Sequence, residues 1–231
     1  MGSGGALVDV HTIGVIGGTG PQGRGLAYRF ALGGHDVILG SRSRTRATEA
    51  ADDLNGLLGA SAVVRGGGNR EAIEASDVVL LAVPYDGHRE LLEELRPALA
   101  GKVVISCVNP LGFDRAGPYG LAVPEGSAAE QAAAVLPDST VVAAFHHVAA
   151  ATLLKTVDHD EHEDVLVCGD DAGAKEIVIK LASTVSGRPG VDAGPLRMAR
   201  YLEPLTAVLI AVNKRYKTRS GIAVTGLRER G

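Results

Sequence analysis

Three glycines near the start of the chain have the spacing of a phosphate-binding turn. Gly18, Gly20 and Gly23 form the pattern G-x-G-x-x-G between an apolar run and a helical pattern. In such a turn the first glycine permits tight bending, the second lets the backbone approach a pyrophosphate, and the third permits close helix packing. The N-terminus of the helix adds free N–H groups and partial positive charge. This context predicts dinucleotide binding rather than a plain glycine-rich turn. The residues predicted to bind are Gly18, Thr19, Gly20, Pro21, Gln22 and Gly23.

The residues after the second predicted strand indicate which dinucleotide would bind. NAD sites usually place an acidic residue there to hold the ribose 2′-hydroxyl. This chain has Ser41 and Arg42 instead, with Arg44 and Arg46 close behind. A 2′-phosphate needs hydrogen-bond donors and positive charge, which a hydroxyl and guanidinium groups supply. A solvated basic face is the alternative, but cations are disfavoured at a helix N-terminus, so we predict NADP.

The elements that would position these residues alternate along the chain. Such alternation predicts an α/β fold of the Rossmann type with a doubly wound, mostly parallel sheet. The pattern changes near Ala149, which predicts a boundary there with a small C-terminal domain. We place the NADP-binding domain at residues 1–148 and the C-terminal domain at 149–231. Residues 109–126 carry four Gly and three Pro and are predicted to be an irregular loop. The predicted strands are 12–16, 35–39, 62–65, 77–83, 103–108, 140–145, 165–168 and 191–193. The predicted helices are 20–31, 44–58, 69–75, 88–99, 127–136, 172–185 and 195–216.

Further candidate site residues follow two other predicted strands. Open α/β sheets bind ligands at the carboxyl ends of their strands. Val83 and Pro84 lie at the end of the fourth strand, and His146 and Val148 follow the sixth. His146 could hydrogen-bond a ligand ring or stabilise charge on it, although a polar residue that ends a strand is the alternative. We therefore predict these residues to be part of the binding site.

Composition limits the partners and the surroundings of the protein. A net charge of −4 argues against binding to nucleic acid. Because no signal peptide or long apolar span is present, we expect a cytoplasmic protein that does not enter a membrane. Cys107 and Cys168 lie in apolar runs and are predicted to be buried free thiols. The apolar run 207–212 favours a homodimer interface, with burial inside the same chain as the alternative. We expect no metal site, since the histidines of the acidic segment 158–164 are better explained as solvated.

Several segments together resemble NADPH-dependent reductases of coenzyme F420, a 5-deazaflavin. The similarity extends from about residue 12 to residue 227. The resemblance implies direct hydride transfer between the nicotinamide and the deazaflavin in a cleft. It also implies that Thr19, Ser41, Arg42 and Arg46 hold the 2′-phosphate side, and that His146 and Val148 line the hydride-transfer pocket. The segments are Gly17-Gly18-Thr19-Gly20-Pro21-Gln22-Gly23-Arg24-Gly25, Gly40-Ser41-Arg42, Val167-Cys168-Gly169-Asp170-Asp171, Asp192-Ala193-Gly194-Pro195-Leu196 and Val212-Asn213-Lys214-Arg215-Tyr216.

Two other functions are compatible with the same nucleotide site. One is an NADPH-dependent reductase of a flavin, a metal chelate or another small acceptor such as a ketone. The other is a regulator that senses NADPH without turning it over. The chain lacks a Tyr-x-x-x-Lys pair, which weighs against ketone reduction. Because hydride transfer between two cofactors depends mainly on alignment, we expect no catalytic triad and assign His146 a positioning or electrostatic role.

Overall fold

The computed structural model describes residues 10–155 and 163–227 as an α/β fold. Short 3-10 turns lie at Gly59–Ser61 and Leu196–Met198. The strands in the described ranges are β1 Thr12–Ile16, β2 Asp36–Ser41, β3 Val64–Gly68, β4 Val78–Leu81, β5 Val103–Ser106, β6 Leu111–Asp114, β7 Gly117–Gly120, β8 Thr140–Ala143, β9 Leu166–Gly169 and β10 Val191–Asp192. The helices are α1 Pro21–Leu32, α2 Arg44–Leu58, α3 Asn69–Glu74, α4 His88–Leu99, α5 Ala128–Val135, α6 Ala150–Leu153, α7 Ala172–Ser186 and α8 Ala199–Tyr216.

One large sheet organises the part of the chain that the structure describes. Eight of the described strands form it in the order β10-β9-β8-β5-β4-β1-β2-β3. The pairs from β3 to β8 are parallel, β9 runs antiparallel to β8, and β10 runs parallel to β9. The order reverses between β1 and β4, which is where doubly wound sheets bind ligands. The prediction of a Rossmann-type, mostly parallel sheet is confirmed.

The core lies on both faces of this sheet. Side chains alternate along a strand, so Val78 and Leu80 of β4 pack with residues of α1, α2 and α7. Val79 and Leu81 point to the other face and pack with residues of α3, α4 and α5. Both faces are thus covered by helices, which explains why β4 is apolar at every position.

Local sequence signals set several helix boundaries. Helix α7 begins where the Asp171 carboxylate accepts the Ala174 N–H at 2.7 Å, and it ends at Gly187, whose φ of 75° is left-handed. Helix α2 begins after Ser43, whose hydroxyl oxygen accepts the Arg46 N–H at 3.4 Å. These caps fix where the helices start relative to the ends of the strands, and thus where the side chains after each strand can point.

The prediction of an irregular loop over residues 109–126 is wrong in its central part. Strands β6 and β7 pair there as an antiparallel hairpin, with Leu111 opposite Gly120. The turn is stabilised because Asp114 accepts the N–H groups of Ala116 at 2.7 Å and Gly117 at 3.1 Å. Glycine is frequent here because the turn and the close packing require it: Gly117 has a left-handed φ of 127°, and a Cβ atom at Gly112 would lie 2.4 Å from the Tyr119 ring.

The C-terminal segment continues the same sheet as well as adding helices. Strands β9 and β10 extend the sheet beyond β8, while α8 packs on the hairpin strand β7. A Cβ atom at Gly120 would lie 2.8 Å from the Pro204 Cβ, so the hairpin and α8 meet closely. The division into residues 1–148 and 149–231 remains a prediction. No helix among the described residues combines the length and the hydropathy needed to cross a membrane.

The two cysteines are buried free thiols, as predicted. Burial raises the pKa of each thiol to about 12. The Cys107 Sγ donates to the Leu81 carbonyl at 3.2 Å. Both thiols therefore stay protonated at neutral pH and behave as small apolar core groups.

Candidate functional site

The glycine turn joins β1 to α1, and three of its glycines are required by the fold itself. A Cβ atom at Gly18 would lie 2.9 Å from the Val15 carbonyl oxygen. Gly17 has a left-handed φ of 83°, and a Cβ atom there would lie 2.3 Å from the Ala82 carbonyl oxygen. A Cβ atom at Gly23 would lie 2.5 Å from the Gly17 carbonyl oxygen. Gly17 therefore permits the bend and the approach to β4, and Gly23 permits close packing of α1 on the turn.

Gly20 is different, because the protein itself does not require a glycine there. A Cβ atom at Gly20 would meet only the Gly17 carbonyl oxygen, at 3.4 Å. Gly20 is also the N-cap of α1, where no side chain caps the helix and the first turn holds no acidic residue. The first N–H groups of a helix have no partner inside the helix. The structure thus leaves open space above an uncapped helix N-terminus, which is the arrangement that binds an anion.

A cavity of about 520 Å³, which we call the histidine cavity, extends from this turn across the carboxyl ends of β4, β5 and β8. Its volume is in the usual range for small-molecule sites. It brings together residues that are far apart in the sequence. The predicted site residues among its lining are Gly20, Pro21, Gln22, Val83, Pro84, His146 and Val148.

His146 is buried in the wall of this cavity and is electrically neutral. Burial, with a smaller contribution from His147, lowers the pKa of His146 to about 3. Neither ring nitrogen of His146 makes a hydrogen bond of good geometry within residues 10–155 and 163–227, and the Cys107 backbone, the one hydrogen-bonding group that acts on the ring there, raises its pKa by less than burial lowers it. A neutral imidazole offers one N–H donor and one acceptor nitrogen. Buried polar nitrogens without good hydrogen bonds destabilise the protein on its own. At a cavity wall, a bound ligand would supply the missing hydrogen-bond partners.

The turn that carries His146 is held by side chains from three separate elements. The Gln22 amide of α1 donates to the carbonyl oxygens of Phe145 at 3.4 Å and Val148 at 3.3 Å. The His146 carbonyl accepts from the Asn109 amide at 3.0 Å and from the Thr206 hydroxyl at 3.2 Å. Phe145 has a left-handed φ of 64°, which is unfavourable for a residue with a side chain. Such a conformation persists where the surroundings fix it, as these donors do.

A second cavity of about 520 Å³, which we call the arginine cavity, lies beyond the carboxyl end of β2. Ser41 and Arg42, which the sequence predicts to hold a 2′-phosphate, both line this cavity. The Ser41 hydroxyl oxygen accepts the Ser43 N–H at 3.2 Å, so its own hydrogen stays free to be donated. Arg46 is not among the residues that line this cavity. The other polar side chains in its lining are Arg44, Asn69, Arg70, Glu71, Glu74 and Glu94.

Some predicted residues lie outside both cavities, and some lining residues were not predicted. Gly18, Thr19 and Gly23 belong to the glycine turn but line neither cavity. Asn109 and Thr206 line the histidine cavity, and Arg70 the arginine cavity, without having been predicted. Asn109 directly follows the fifth predicted strand, residues 103–108, so its position at a strand end was a usable signal. His159 and His162 of the acidic segment lie outside the described residues.

Comparison with known proteins assigns the chain to a family. Residues 12–110 match the family "NADP oxidoreductase coenzyme F420-dependent". The F420-dependent NADP reductase of Methanocaldococcus jannaschii is 39% identical over 222 residues, which covers 93% of this chain and 98% of that protein. The rat (Rattus norvegicus) metalloreductase STEAP3 is 32% identical over 212 residues, but the match spans only 40% of its length.

A solved structure agrees with the sequence relatives. The crystal structure of a provisionally named F420-dependent NADP reductase from Arthrobacter sp. FB24 has a TM-score of 0.75 and 28% identity to this chain. The match covers 93% of this chain and 100% of that one. The resemblance drawn from the motifs is thereby confirmed. This chain belongs to the family of F420-dependent NADP reductases.

Proposed function

We propose that the protein is an oxidoreductase that transfers a hydride directly between NADP(H) and coenzyme F420. Three curated relatives of 36% to 39% identity, matched over almost their whole length, are F420-dependent NADP reductases. The observation that carries the proposal within this structure is the histidine cavity, which starts at the glycine turn and ends at a buried, neutral His146. One cavity thus extends from the nucleotide-binding turn to a wall that suits the ring of a second cofactor.

The residues present fit an NADP molecule. The space left by Gly20 and the uncapped N-terminus of α1 suit a pyrophosphate. Ser41 and Arg42 in the arginine cavity suit a 2′-phosphate, because both can donate and one carries a permanent charge. We propose that Thr19 and Arg46 contribute at the edges of the site. Gly18, Pro21, Gln22 and Gly23 would shape the turn, with Val83 and Pro84 beside the nicotinamide.

The residues around His146 suit the deazaflavin side of the site. When both cofactors are bound, they supply the redox chemistry, in which a hydride passes from C4 of the nicotinamide to C5 of the deazaflavin. The protein holds the two rings in register and excludes water. His146 stays neutral at the pH of the reaction, so it can donate one hydrogen bond and accept another without bringing a charge. Val148 beside it supplies apolar wall.

The test is to mix the protein with NADPH and oxidised F420 and to follow the deazaflavin absorbance. We expect bleaching, and NADPH that carries deuterium at the transferred position should yield labelled reduced deazaflavin without exchange into water. FMN and a ferric chelate, offered as acceptors in parallel, should be reduced far more slowly. Faster reduction of either one would favour the alternative reductase. Binding of NADPH without turnover of any acceptor would favour the sensing regulator.

We also propose a homodimer in the cytoplasm that binds no nucleic acid. The apolar run 207–212 on α8 is only partly covered, and the Val208 side chain is 55% exposed. Phe113 on the hairpin next to α8 is 68% exposed. A second copy of the chain could bury these side chains. Light scattering of the purified protein should give twice the monomer mass of 23.7 kDa, and a value of one monomer would contradict the proposal.

A further inference from the structure

The arginine cavity contains as many acidic as basic side chains. Arg42, Arg44 and Arg70 face Glu71, Glu74 and Glu94 among its lining residues. A 2′-phosphate carries close to two negative charges, and a site for it usually has an excess of positive charge. The carboxylates in this cavity therefore need an explanation beyond attraction of the phosphate.

Glu71 holds Arg44 with the geometry in which arginine binds phosphate. The Arg44 Nη2 lies 2.6 Å from the Glu71 Oε2, and the Arg44 Nη1 lies 3.3 Å from Oε1, so two parallel donors meet two acceptor oxygens. The Glu71 Oε2 also accepts the Gly68 N–H at 3.2 Å, which fixes the carboxylate at the start of α3. The carboxylate thus presents an oxygen pair to Arg44 inside the cavity that Ser41 and Arg42 also line.

The ion pair is exposed and therefore weak. The side chain of Arg44 is 67% exposed and that of Glu71 is 50% exposed. Solvent and salt screen such pairs strongly. A dianionic phosphate that is already held by neighbouring donors can compete with a single carboxylate for the same guanidinium.

We propose that the Glu71 carboxylate takes the place of the 2′-phosphate in the free protein, which we call its stand-in role. It holds Arg44 in the cavity, and when NADP binds, Arg44 leaves Glu71 and pairs with the 2′-phosphate. The inference rests on the proposed function and adds a residue that limits the preference for NADP over NAD. Because NAD has no 2′-phosphate, Arg44 would stay with Glu71 when NAD binds. Only the binding of NADP then requires the Arg44–Glu71 ion pair to break, which reduces its binding free energy. Glu71 therefore lowers the affinity for NADP and leaves the affinity for NAD unchanged.

The test is the Glu71→Gln variant, with NADPH and NADH binding measured by isothermal titration calorimetry. Glutamine keeps an oxygen for the Gly68 N–H but lacks the charge that holds Arg44. We expect NADPH to bind about 2-fold to 5-fold more tightly, the range expected for release of one exposed ion pair, and NADH to bind as before. Glu74→Gln is the matched control, because Glu74 lines the same cavity and makes no ion pair among the described residues.

Two results decide the inference. In the Arg44→Ala background, Glu71→Gln should no longer tighten NADPH binding more than Glu74→Gln does. Weaker binding of NADPH by Glu71→Gln would overturn the stand-in role and indicate that Glu71 supports the binding site. Equal effects of Glu71→Gln and Glu74→Gln would also overturn it and indicate general charge repulsion. These outcomes leave the proposed function intact if the wild-type protein binds NADPH and reduces F420, whereas failure of the wild-type protein to bind NADPH would refute the proposed function itself.

Discussion

Burial of His146 should make the protein less stable as the pH falls below 6.5. In the folded protein, burial and the neighbouring His147 lower the pKa of His146 from 6.5 to about 3. The unfolded chain takes up a proton on this ring near pH 6.5, whereas the folded protein does not until about pH 3. Between these values the unfolded state binds more protons, so acidification favours unfolding.

The size of this effect follows from the pKa difference. Each pH unit inside the window changes the free energy of unfolding by about 1.4 kcal/mol per proton. From pH 6.5 to pH 5 is 1.5 units, so His146 alone should remove about 2 kcal/mol of stability. Burial also lowers the pKa values of His35, His88 and His147, and these groups act in the same direction.

The assay is urea unfolding at pH 7.5 and pH 5 for the wild-type protein and for the His146→Gln variant. Only the change between the two pH values is compared, so a different starting stability of the variant does not matter. The wild-type protein should lose about 2 kcal/mol more than the variant over this interval. If both lose the same amount, His146 is not kept neutral by burial, and the role assigned to its uncharged ring fails with it.

Three further predictions concern the cofactor sites. Arg42→Ala should weaken NADPH binding in calorimetry by about 1.5–3 kcal/mol, the loss of a charge-assisted contact, and leave NADH nearly unchanged; equal weakening of both would exclude contact with the 2′-phosphate. Gly20→Val should abolish NADPH binding with the melting temperature retained, because a Cβ there meets only the Gly17 oxygen at 3.4 Å, whereas Gly23→Ala, at 2.5 Å, should lower the melting temperature. His146→Ala should slow turnover about 10-fold to 100-fold without exchange of transferred deuterium into water, and a folded but wholly inactive variant would make His146 an obligatory acid or base.

Much of the fold could be predicted from local patterns in the sequence. The run from Val78 to Leu81 has no polar residue, and a strand that is buried on both faces needs none. The alternation of such strands with helices then implies a parallel sheet, and the carboxyl ends of its strands imply the site. The hairpin in residues 111–120 escaped prediction because glycine and proline mark turns without telling which flanking residues pair. The Asp114 side chain that closes its turn was the local signal that was missed.

The arginines after β2 show what a local sequence pattern does not predict, namely which partner each side chain finds in the fold. Three arginines near a helix start predict an anionic ligand, because cations alone are disfavoured there. The structure gives Arg44 a carboxylate partner, Glu71, which lies 27 residues further along the chain and comes from α3. Arg46 is not among the residues that line the arginine cavity. These three neighbouring arginines therefore differ in the structure: Arg44 pairs with Glu71, Arg42 lines the cavity without an ion pair among the described residues, and Arg46 does not line it.

The sequence places His146 at the end of a strand, but it does not show what holds the turn that carries His146, because that turn depends on contacts between distant residues. The carbonyl groups of its turn accept from Gln22, 123 and 126 residues before the two acceptors, from Asn109, 37 residues before His146, and from Thr206, 60 residues after it. Gln22 sits in the first turn of α1, above which the pyrophosphate would bind, so one side chain connects the nucleotide side of the cavity to the wall formed by His146. Alignment of two rings for hydride transfer requires this kind of rigid connection, since neither ring is held by a covalent bond.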